Sequence, residues 1–167
     1  MDFLYNSNWY FLFLAPIIPV ALSFIWYHPS LFGKVVARNS GQAIGQIGNL
    51  ARIGWVYLFG LLIAYMTLVL TVHQFGPHLL FFGEPQMSNP DYTAHAFLAN
   101  FMEQYGDRHR SFGHGMVHGT ELAFLLSLSV LGASAVMEGR PIKKVWVHVG
   151  FWAICGALMG GILAANF

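Results

Sequence analysis

The chain has 167 residues, of which 56% are hydrophobic and only 9% are charged, and its formal net charge is +1. A soluble domain normally carries charge on about a quarter of its residues, so this chain has too few charges to cover a water-facing surface. The near-neutral charge and the lack of a basic cluster also exclude a nucleic-acid partner. The composition therefore predicts an integral membrane protein with the lipid bilayer as its main partner.

Four apolar segments are long enough to cross a bilayer, which takes roughly 20 residues in a helix. They cover residues 9–27, 55–75, 113–137 and 145–167. Each must be helical, because lipid offers no hydrogen-bonding partner to a bare backbone. Pro16 and Pro19 predict a kink in the first segment. We therefore predict an all-α membrane protein, a single membrane domain over residues 1–167, with four transmembrane helices in an antiparallel bundle.

Basic residues predict how the spans are oriented. Two connections between spans are rich in lysine and arginine, which are Lys34, Arg38 and Arg52 in the first and Arg140, Lys143 and Lys144 in the third. The second connection, residues 76–112, carries two arginines and four acidic residues. Because positively charged connections stay in the cytoplasm, both termini and residues 76–112 are predicted to lie on the outer side.

The long outer connection contains a candidate amphipathic helix. Asn89 is a suitable N-cap with Pro90 at the first helical position, and Gly106 is a suitable stop. The apolar face of this helix consists of Phe97, Leu98, Phe101, Met102 and Tyr105. Such a helix either rests on the bundle as a lid or docks a partner, and the pattern does not distinguish the two.

Two stretches of the chain resemble a known family. The end of the first span, "FIWYHPSLFGKVVARN", and the ending "SVLGASAVMEGRPIKKVWVHVGFWAICGALMGGILAANF" are similar to the DUF1761 family of small bacterial membrane proteins. The resemblance implies a four-helix architecture in the bacterial inner membrane, with the outer side periplasmic. It implies no activity, because the function of the family is unknown. Residues 76–112 are longer than the family pattern, so nothing about them is carried over.

Small residues recur every four positions in the last two spans. In the third span they are Gly115, Gly119 and Ala123, and in the fourth they are Gly156, Gly160 and Ala164. Such stripes let two helix backbones approach closely in a membrane. The fourth span has a second stripe, Ala157, Gly161 and Ala165, which fits either a second helix of the same chain or another subunit. A homo-oligomer or an assembly with other membrane subunits is therefore expected.

The stretch "FGHGMVHGTELAF", residues 112–124, brings ionisable groups into the third span. At 100° per residue, His114, His118 and Glu121 lie within about 60° of one another. Glu121 lies roughly 12 Å below Gly113 by helical rise, so it should face the bundle interior or water. Six of the eight histidines map to the outer side, and these are His73, His78, His95, His109, His114 and His118.

Three interpretations of this face stay open. The side chains serve as hydrogen-bonding contacts between helices. Alternatively His114, His118 and Glu121, with His73 or His78 as a fourth ligand, hold a divalent metal ion such as zinc. A third possibility is a proton or ion pathway, although polar residues are scarce in the inner half. No HExxH sequence and no paired ExxH motif is present to decide the matter.

No defensible nucleophile-and-base pair, phosphate loop or dinucleotide fingerprint is present, which disfavours an enzyme. The sequence favours a structural or accessory subunit of an oligomer or larger membrane complex. The alternative is a small metal-binding or proton- and ion-handling protein that uses the His/Glu face. A bound lipid is expected, and no cofactor is identified beyond a divalent metal.

Overall fold

The computed structural model describes residues 7–37 and 50–167, and the regular structure in these two ranges is helical. The helices are α1 (Tyr10–Leu14), α2 (Ile17–Trp26), α3 (Gly33–Ala37), α4 (Leu50–Thr71), α5 (Phe75–Leu80), α6 (Thr93–Tyr105), α7 (Phe112–Met137) and α8 (Ile142–Asn166). No strand occurs among the described residues, so the all-α prediction is confirmed there. Arg38, one of the basic residues used for orientation, lies outside the described ranges.

Three helices, α4, α7 and α8, are long and apolar enough to cross a membrane, with 22, 26 and 25 residues. Helix α4 covers Leu50–Thr71 rather than the predicted 55–75. The chain starts a new short helix, α5, with Pro77 in its first turn, where a missing backbone N–H is tolerated. The first predicted span, residues 9–27, is a shorter apolar segment, Tyr10–Trp26. Four spans in an antiparallel bundle therefore stay a prediction.

The shorter segment is broken where its prolines lie. Helix α1 ends at Leu14 and α2 begins at Ile17, since neither Pro16 nor Pro19 can donate a backbone hydrogen bond. The helix α4 makes room for the break at Gly60, where an added Cβ would come within 2.8 Å of Pro19 Cγ. The prolines of the first segment therefore pack against α4 at Gly60, which has no side chain to obstruct the contact.

The connection between α4 and α7 contains the predicted amphipathic helix, but its start differs from the prediction. Helix α6 begins at Thr93 rather than at Pro90, and its C-cap is Gly106 as predicted. Asn89 forms a turn instead of a cap, because its side-chain oxygen accepts from Asp91 N at 3.0 Å. This local side chain–backbone bond offers the chain an alternative to helix at these positions.

Helices α7 and α8 pack against each other as an antiparallel hairpin. Gly115 faces Gly160 and Gly119 faces Gly156, so closely that an added Cβ at any of the four would overlap backbone atoms of the opposite helix. Ala164 lies beside Gly115, and Ala123 lies beside Gly156. Since lipid gives helices little hydrophobic reason to associate, such close backbone contact is the main source of attraction.

The turn of this hairpin is a Schellman motif. Gly139 follows the end of α7 with a positive φ of 64°, which glycine adopts without strain. Arg140 N donates to Ala135 O at 2.8 Å, and Gly139 N donates to Val136 O at 3.3 Å. These two bonds satisfy carbonyls that the end of α7 leaves without helical partners.

Helix α8 is the centre of the fold. Of its span, 56% is buried, against 22% for α4 and 17% for α7. The main core gathers residues from α1, the α1–α2 break, α4, the α4–α5 turn, the start of α5, α8 and the residue after α8, namely Leu12, Ala15, Ala64, Leu68, Val72, Phe75, Phe151, Cys155, Met159, Leu163 and Phe167. Helices α4 and α7 diverge on one side of α8 and leave an apolar groove between them. Its lining includes Phe59, Ile63, Leu126, Val130 and Trp152.

The end of the fold opposite the α4–α5 turn carries basic residues and is called the basic end. Trp26 Nε1 donates to Val147 O at 3.1 Å, and the Tyr27 hydroxyl lies 2.8 Å from His148 Nδ1. Lys144 Nζ donates to Val36 O at 2.8 Å. These bonds attach the end of α2 and helix α3 to the start of α8.

Candidate metal centre

Histidines gather at the other end of the fold, where α4 ends and α7 begins, here called the histidine end. His73 lies in the turn between α4 and α5, and His114 and His118 lie on the first turns of α7. The start of α7 is fixed by Ser111, whose side chain accepts a hydrogen bond from His114 N at 3.3 Å. Because His114 and His118 are four residues apart, the helix places their rings on one face.

The three imidazole rings meet in space although they come from two separate segments. His73 Nε2 and His114 Nε2 are 3.1 Å apart. The ring centroids of His73 and His118 are 5.5 Å apart, and those of His114 and His118 are 4.5 Å apart. One ring nitrogen from each of the three residues lies within 4.8 Å of the others. We call His73, His114 and His118 the histidine triad.

This spacing is close to what a tetrahedral ion needs. With metal–nitrogen bonds of 2.0–2.1 Å, two imidazole nitrogens on one tetrahedral ion are separated by about 3.3 Å. The 3.1 Å between His73 and His114 is already near that value. The nitrogen of His118 lies within 4.8 Å of the other two. Three neutral imidazoles form a ligand set suited to zinc, copper, iron or nickel.

Glu121, predicted as a metal ligand, is not part of this group of nitrogens. Its carboxylate oxygen lies 3.6 Å from His118 Nδ1, on the flank of the triad. Of the two predicted surroundings, the bundle interior or water, the single chain does not provide the first, because 62% of the Glu121 side chain is exposed. The reason is helical geometry, since Glu121 lies about 200° around α7 from Gly119 and so points away from α8.

The remaining candidate ligand, His78, lies in α5 and is not among the three residues whose nitrogens converge. Burial lowers the pKa of His78 below the usual imidazole range. His95, the other outer-side histidine named above, lies on α6. Of the histidines predicted as ligands, the structure therefore brings together His73, His114 and His118.

A fourth imidazole, from His109, was not predicted as part of the site. Its ring stacks on His114, with centroids 4.7 Å apart and planes 25° from parallel, and its centroid is 6.1 Å from that of His73. The backbone of His109 has a φ of 65°, a conformation that costs a non-glycine residue about 1–2 kcal/mol. Residues held in this region are found preferentially at functional sites. The one sequence feature that could have indicated the position of His109 is that it lies five residues before His114.

The electrostatics around His73 favour a neutral imidazole. His73 lies beyond the end of α4, and partial burial lowers its pKa below the usual range, with the neighbouring His118 and His109 lowering it further. A neutral ring keeps a nitrogen lone pair for a metal ion, whereas an imidazolium does not. His73 therefore favours the neutral form, in which one ring nitrogen can bind a cation.

Comparisons with known proteins place the chain in a family. The family model described as "Protein of unknown function (DUF1761)" matches residues 10–164. Neither curated proteins nor solved structures yielded a match. The resemblance noted in the two quoted stretches is confirmed, because the match extends over nearly the whole sequence. The chain belongs to the DUF1761 family, whose function is unknown.

Proposed function

We propose that this protein is a membrane protein that binds a divalent transition-metal ion at the histidine triad. The observation that carries the proposal is the convergence of three imidazole nitrogens within 4.8 Å, from a turn and a helix that are about 40 residues apart in sequence. Three protein ligands leave one position of a tetrahedral ion open, the arrangement of catalytic or transport sites rather than of closed structural ones.

Glu121 takes a different role in this proposal from the one predicted. A histidine that binds a metal through one nitrogen usually donates its other N–H to a carboxylate, which fixes the ring and increases its basicity. The Glu121 carboxylate lies 3.6 Å from His118 Nδ1, slightly longer than a hydrogen bond, so it would have to approach the ring by a few tenths of an ångström to take this orienting role. The carboxylate then also has a protonated ring nitrogen beside it, which reduces the cost of placing it within a span.

Two other interpretations of the histidines have less support. A contact between helices explains the pair His73 and His114, but one hydrogen bond gives no reason for His118 and His109 to lie against the same rings. A proton pathway needs polar groups along its length. Among the described residues, the buried polar side chains are Ser23, Thr67, Thr71 and Gln74, which do not form a continuous chain toward the basic end.

The orientation in the membrane is part of the proposal. Lys34, Arg52, Lys143 and Lys144 lie at the basic end or in the segments that lead to it. By the positive-inside rule this end faces the cytoplasm of a bacterial inner membrane, and the histidine triad faces the periplasm. A metal ion would then enter from outside without crossing the hydrocarbon region.

Metal content tests the proposed function directly. The protein, purified in detergent with a tag that contains no histidine, should retain about one equivalent of metal or bind added Zn²⁺ with micromolar or tighter affinity. His73→Ala and His114→Ala should each weaken Zn²⁺ binding by about a hundredfold, since each removes a ligand. His95→Ala is the matched control, because it removes a histidine of α6 outside the triad.

The proposal is overturned if the intact protein binds Zn²⁺, Cu²⁺, Ni²⁺ and Co²⁺ no better than millimolar. It is also overturned if His95→Ala weakens binding as much as His114→Ala does. Far-ultraviolet circular dichroism and elution as a single peak confirm that each variant is folded.

A second candidate function is that of an accessory subunit in an oligomer or larger complex. The observation that favours it is the exposed side of α7, where 62% of the Glu121 side chain and 60% of Val117 are uncovered. A carboxylate within a span is costly in lipid, so a protein partner on this side would stabilise it. Glu121 and Val117 are four residues apart and share one face.

Disulfide crosslinking in native membranes tests this second function. With Cys155 replaced by serine, Val117→Cys should form dimers on mild oxidation. Val136→Cys is the matched control, because Val136 is also exposed but lies about 100° around α7 from Val117. Equal crosslinking at both positions, or none at Val117→Cys, contradicts a homo-oligomer through this face.

A further inference from the structure

A cavity lies directly beside the histidine triad, between the α4–α5 turn, α5, α6 and the loop before α7. Its volume is about 460 Å³, and it is lined by His73, Gln74, Pro77, Phe101, Tyr105, Arg108 and His109. Binding sites for small molecules generally occupy about 300–1,000 Å³. Because His73 belongs both to the cavity wall and to the triad, a molecule in the cavity can reach an ion held there.

The cavity has an apolar wall and a polar end. The apolar wall is formed by Phe101 and Tyr105 of α6, whose ring centroids are 5.1 Å apart, together with Pro77. The polar end combines the lining residues Arg108, His73 and His109. No carboxylate is among the lining residues, so the fixed charge of the lining is positive.

Gln74 adds an unsatisfied polar atom to this lining. Only 5% of Gln74 is exposed, and its side-chain nitrogen donates to Arg108 O at 3.0 Å. Its side-chain oxygen has no hydrogen-bond partner within the described part of the chain. A buried amide oxygen without a donor costs about 1–3 kcal/mol, so a water molecule bound beside the ligand would stabilise it, whereas a carboxylate only accepts hydrogen bonds and cannot satisfy this oxygen itself.

Arg108 is held in place at the polar end. Its backbone oxygen is fixed by the bond from Gln74, and its guanidinium carbon lies 5.3 Å from the centre of the Tyr105 ring. Stacking on an aromatic face leaves the planar fork of N–H groups available to an acid group. Arginine often binds a carboxylate through two parallel hydrogen bonds that are strengthened by the opposite charges. A neutral group gains no such charge assistance.

We propose that this cavity binds a small organic carboxylate with an apolar ring or chain, its acid group lying between Arg108 and the open position of a metal at the triad. The inference rests on the proposed metal centre and adds the class of molecule that it serves. The apolar body packs on Phe101 and Tyr105, and the carboxylate supplies the oxygen ligand that three histidines leave open.

The test uses the full chain in lipid nanodiscs, loaded with Co²⁺, whose visible absorption reports a change of ligand. Benzoate should shift the Co²⁺ absorption with saturable binding, and benzamide, its neutral counterpart, should not. Arg108→Gln should weaken benzoate binding by about tenfold, the loss expected for one charge-assisted contact, and leave Co²⁺ affinity within about twofold. Arg110→Gln, which replaces an arginine of the same loop outside the cavity lining, is the matched control.

Laurate distinguishes a carboxylate that enters from the bilayer from one that enters from water. A shift with either acid supports the inference and identifies the source. A protein that binds Co²⁺ but responds to neither acid overturns the inference and leaves the metal centre standing. A response that Arg108→Gln and Arg110→Gln retain equally also overturns it. A protein that binds no Co²⁺ overturns both the metal centre and this inference.

Discussion

Helix α7 has two faces that are used in opposite ways. On one face Gly115 and Gly119 lie against the backbone of α8, with no room for even one added carbon atom. On the other face His114 and His118 meet His73 at the histidine end, and below them Glu121 is largely exposed. The first face is filled by a neighbouring helix over two turns. The second is covered only where the α4–α5 turn reaches it.

The difference separates stability from chemistry within a single helix. Contacts of the glycine face hold two long helices together and leave no space for a ligand. The histidine face contributes few packing contacts but brings together nitrogen atoms that a cation can use. Substitutions on one face should therefore alter the free energy of unfolding, and substitutions on the other should alter metal affinity.

The largest effect is expected on the glycine face. Gly119→Leu should destabilise the protein by about 3 kcal/mol or more, because a large side chain forces the backbones of α7 and α8 apart. Unfolding by sodium dodecyl sulfate, followed by circular dichroism, measures the change. Gly132→Leu is the control on the same helix, where an added Cβ meets no atom within 4 Å. Equal destabilisation by both variants would show that the close contact is unimportant.

A smaller effect is expected at Glu121. Glu121→Gln should weaken Zn²⁺ binding by about tenfold, since a carboxylate that orients a metal-bound histidine contributes about that much, and should leave unfolding unchanged. Zn²⁺ titration against a competing chelator provides the measurement. Glu138→Gln removes a carboxylate that pairs with Arg140 at the opposite end, and it should not alter the affinity. If Glu121→Gln abolishes binding entirely, Glu121 is a direct ligand as first predicted.

His148, at the basic end, allows a further comparison, because it takes part in a contact between helices and is not in the histidine triad. Tyr27→Phe removes the hydroxyl that lies 2.8 Å from His148 Nδ1 and should cost about 0.6 kcal/mol of stability, the average for such a bond within a membrane. Zn²⁺ affinity should not change. Tyr65→Phe, at an exposed position of α4, is the control for loss of a hydroxyl. A loss of Zn²⁺ binding in Tyr27→Phe would mean that the two ends of the fold are coupled.

The smallest effect on metal affinity is expected at His109. His109→Gly should leave Zn²⁺ affinity within about twofold, because a ring stacked on His114 is not directed at the same ion. Glycine also relieves the cost of the positive φ at this position. A hundredfold loss measured in the Zn²⁺ titration would make His109 a fourth ligand and the site a closed one.

Much of the architecture follows from sequence patterns. The lengths of the apolar segments located α4, α7 and α8, and the prolines at 16 and 19 marked the break in the first segment. The start of α6 was misplaced, because the bond from Asp91 N to the Asn89 side chain competes with the helix cap that Asn89 would otherwise provide. Local alternatives of this kind depend on which conformation the neighbouring residues adopt, and sequence alone does not specify it.

For the histidine site, the sequence predicted the relative positions of residues within helix α7 but not of those outside it. Spacing of four residues placed His114 and His118 on one face, but whether His73 or His78 approaches them depends on how the chain turns after Thr71. His109 joins the cluster through a left-handed backbone that its residue type does not favour. The exposure of Glu121 follows from which face of α7 packs on α8, a choice settled by tertiary packing.

The turn between α7 and α8 has a consequence for how this protein tolerates change. Inserting or deleting a single residue in 138–141 would disrupt the two hydrogen bonds of this turn and change where α8 starts relative to α7. The close contacts of Gly156 and Gly160 with α7 depend on that relative position. Side-chain substitutions in this short link should therefore be tolerated better than a change in its length or the loss of the glycine at 139.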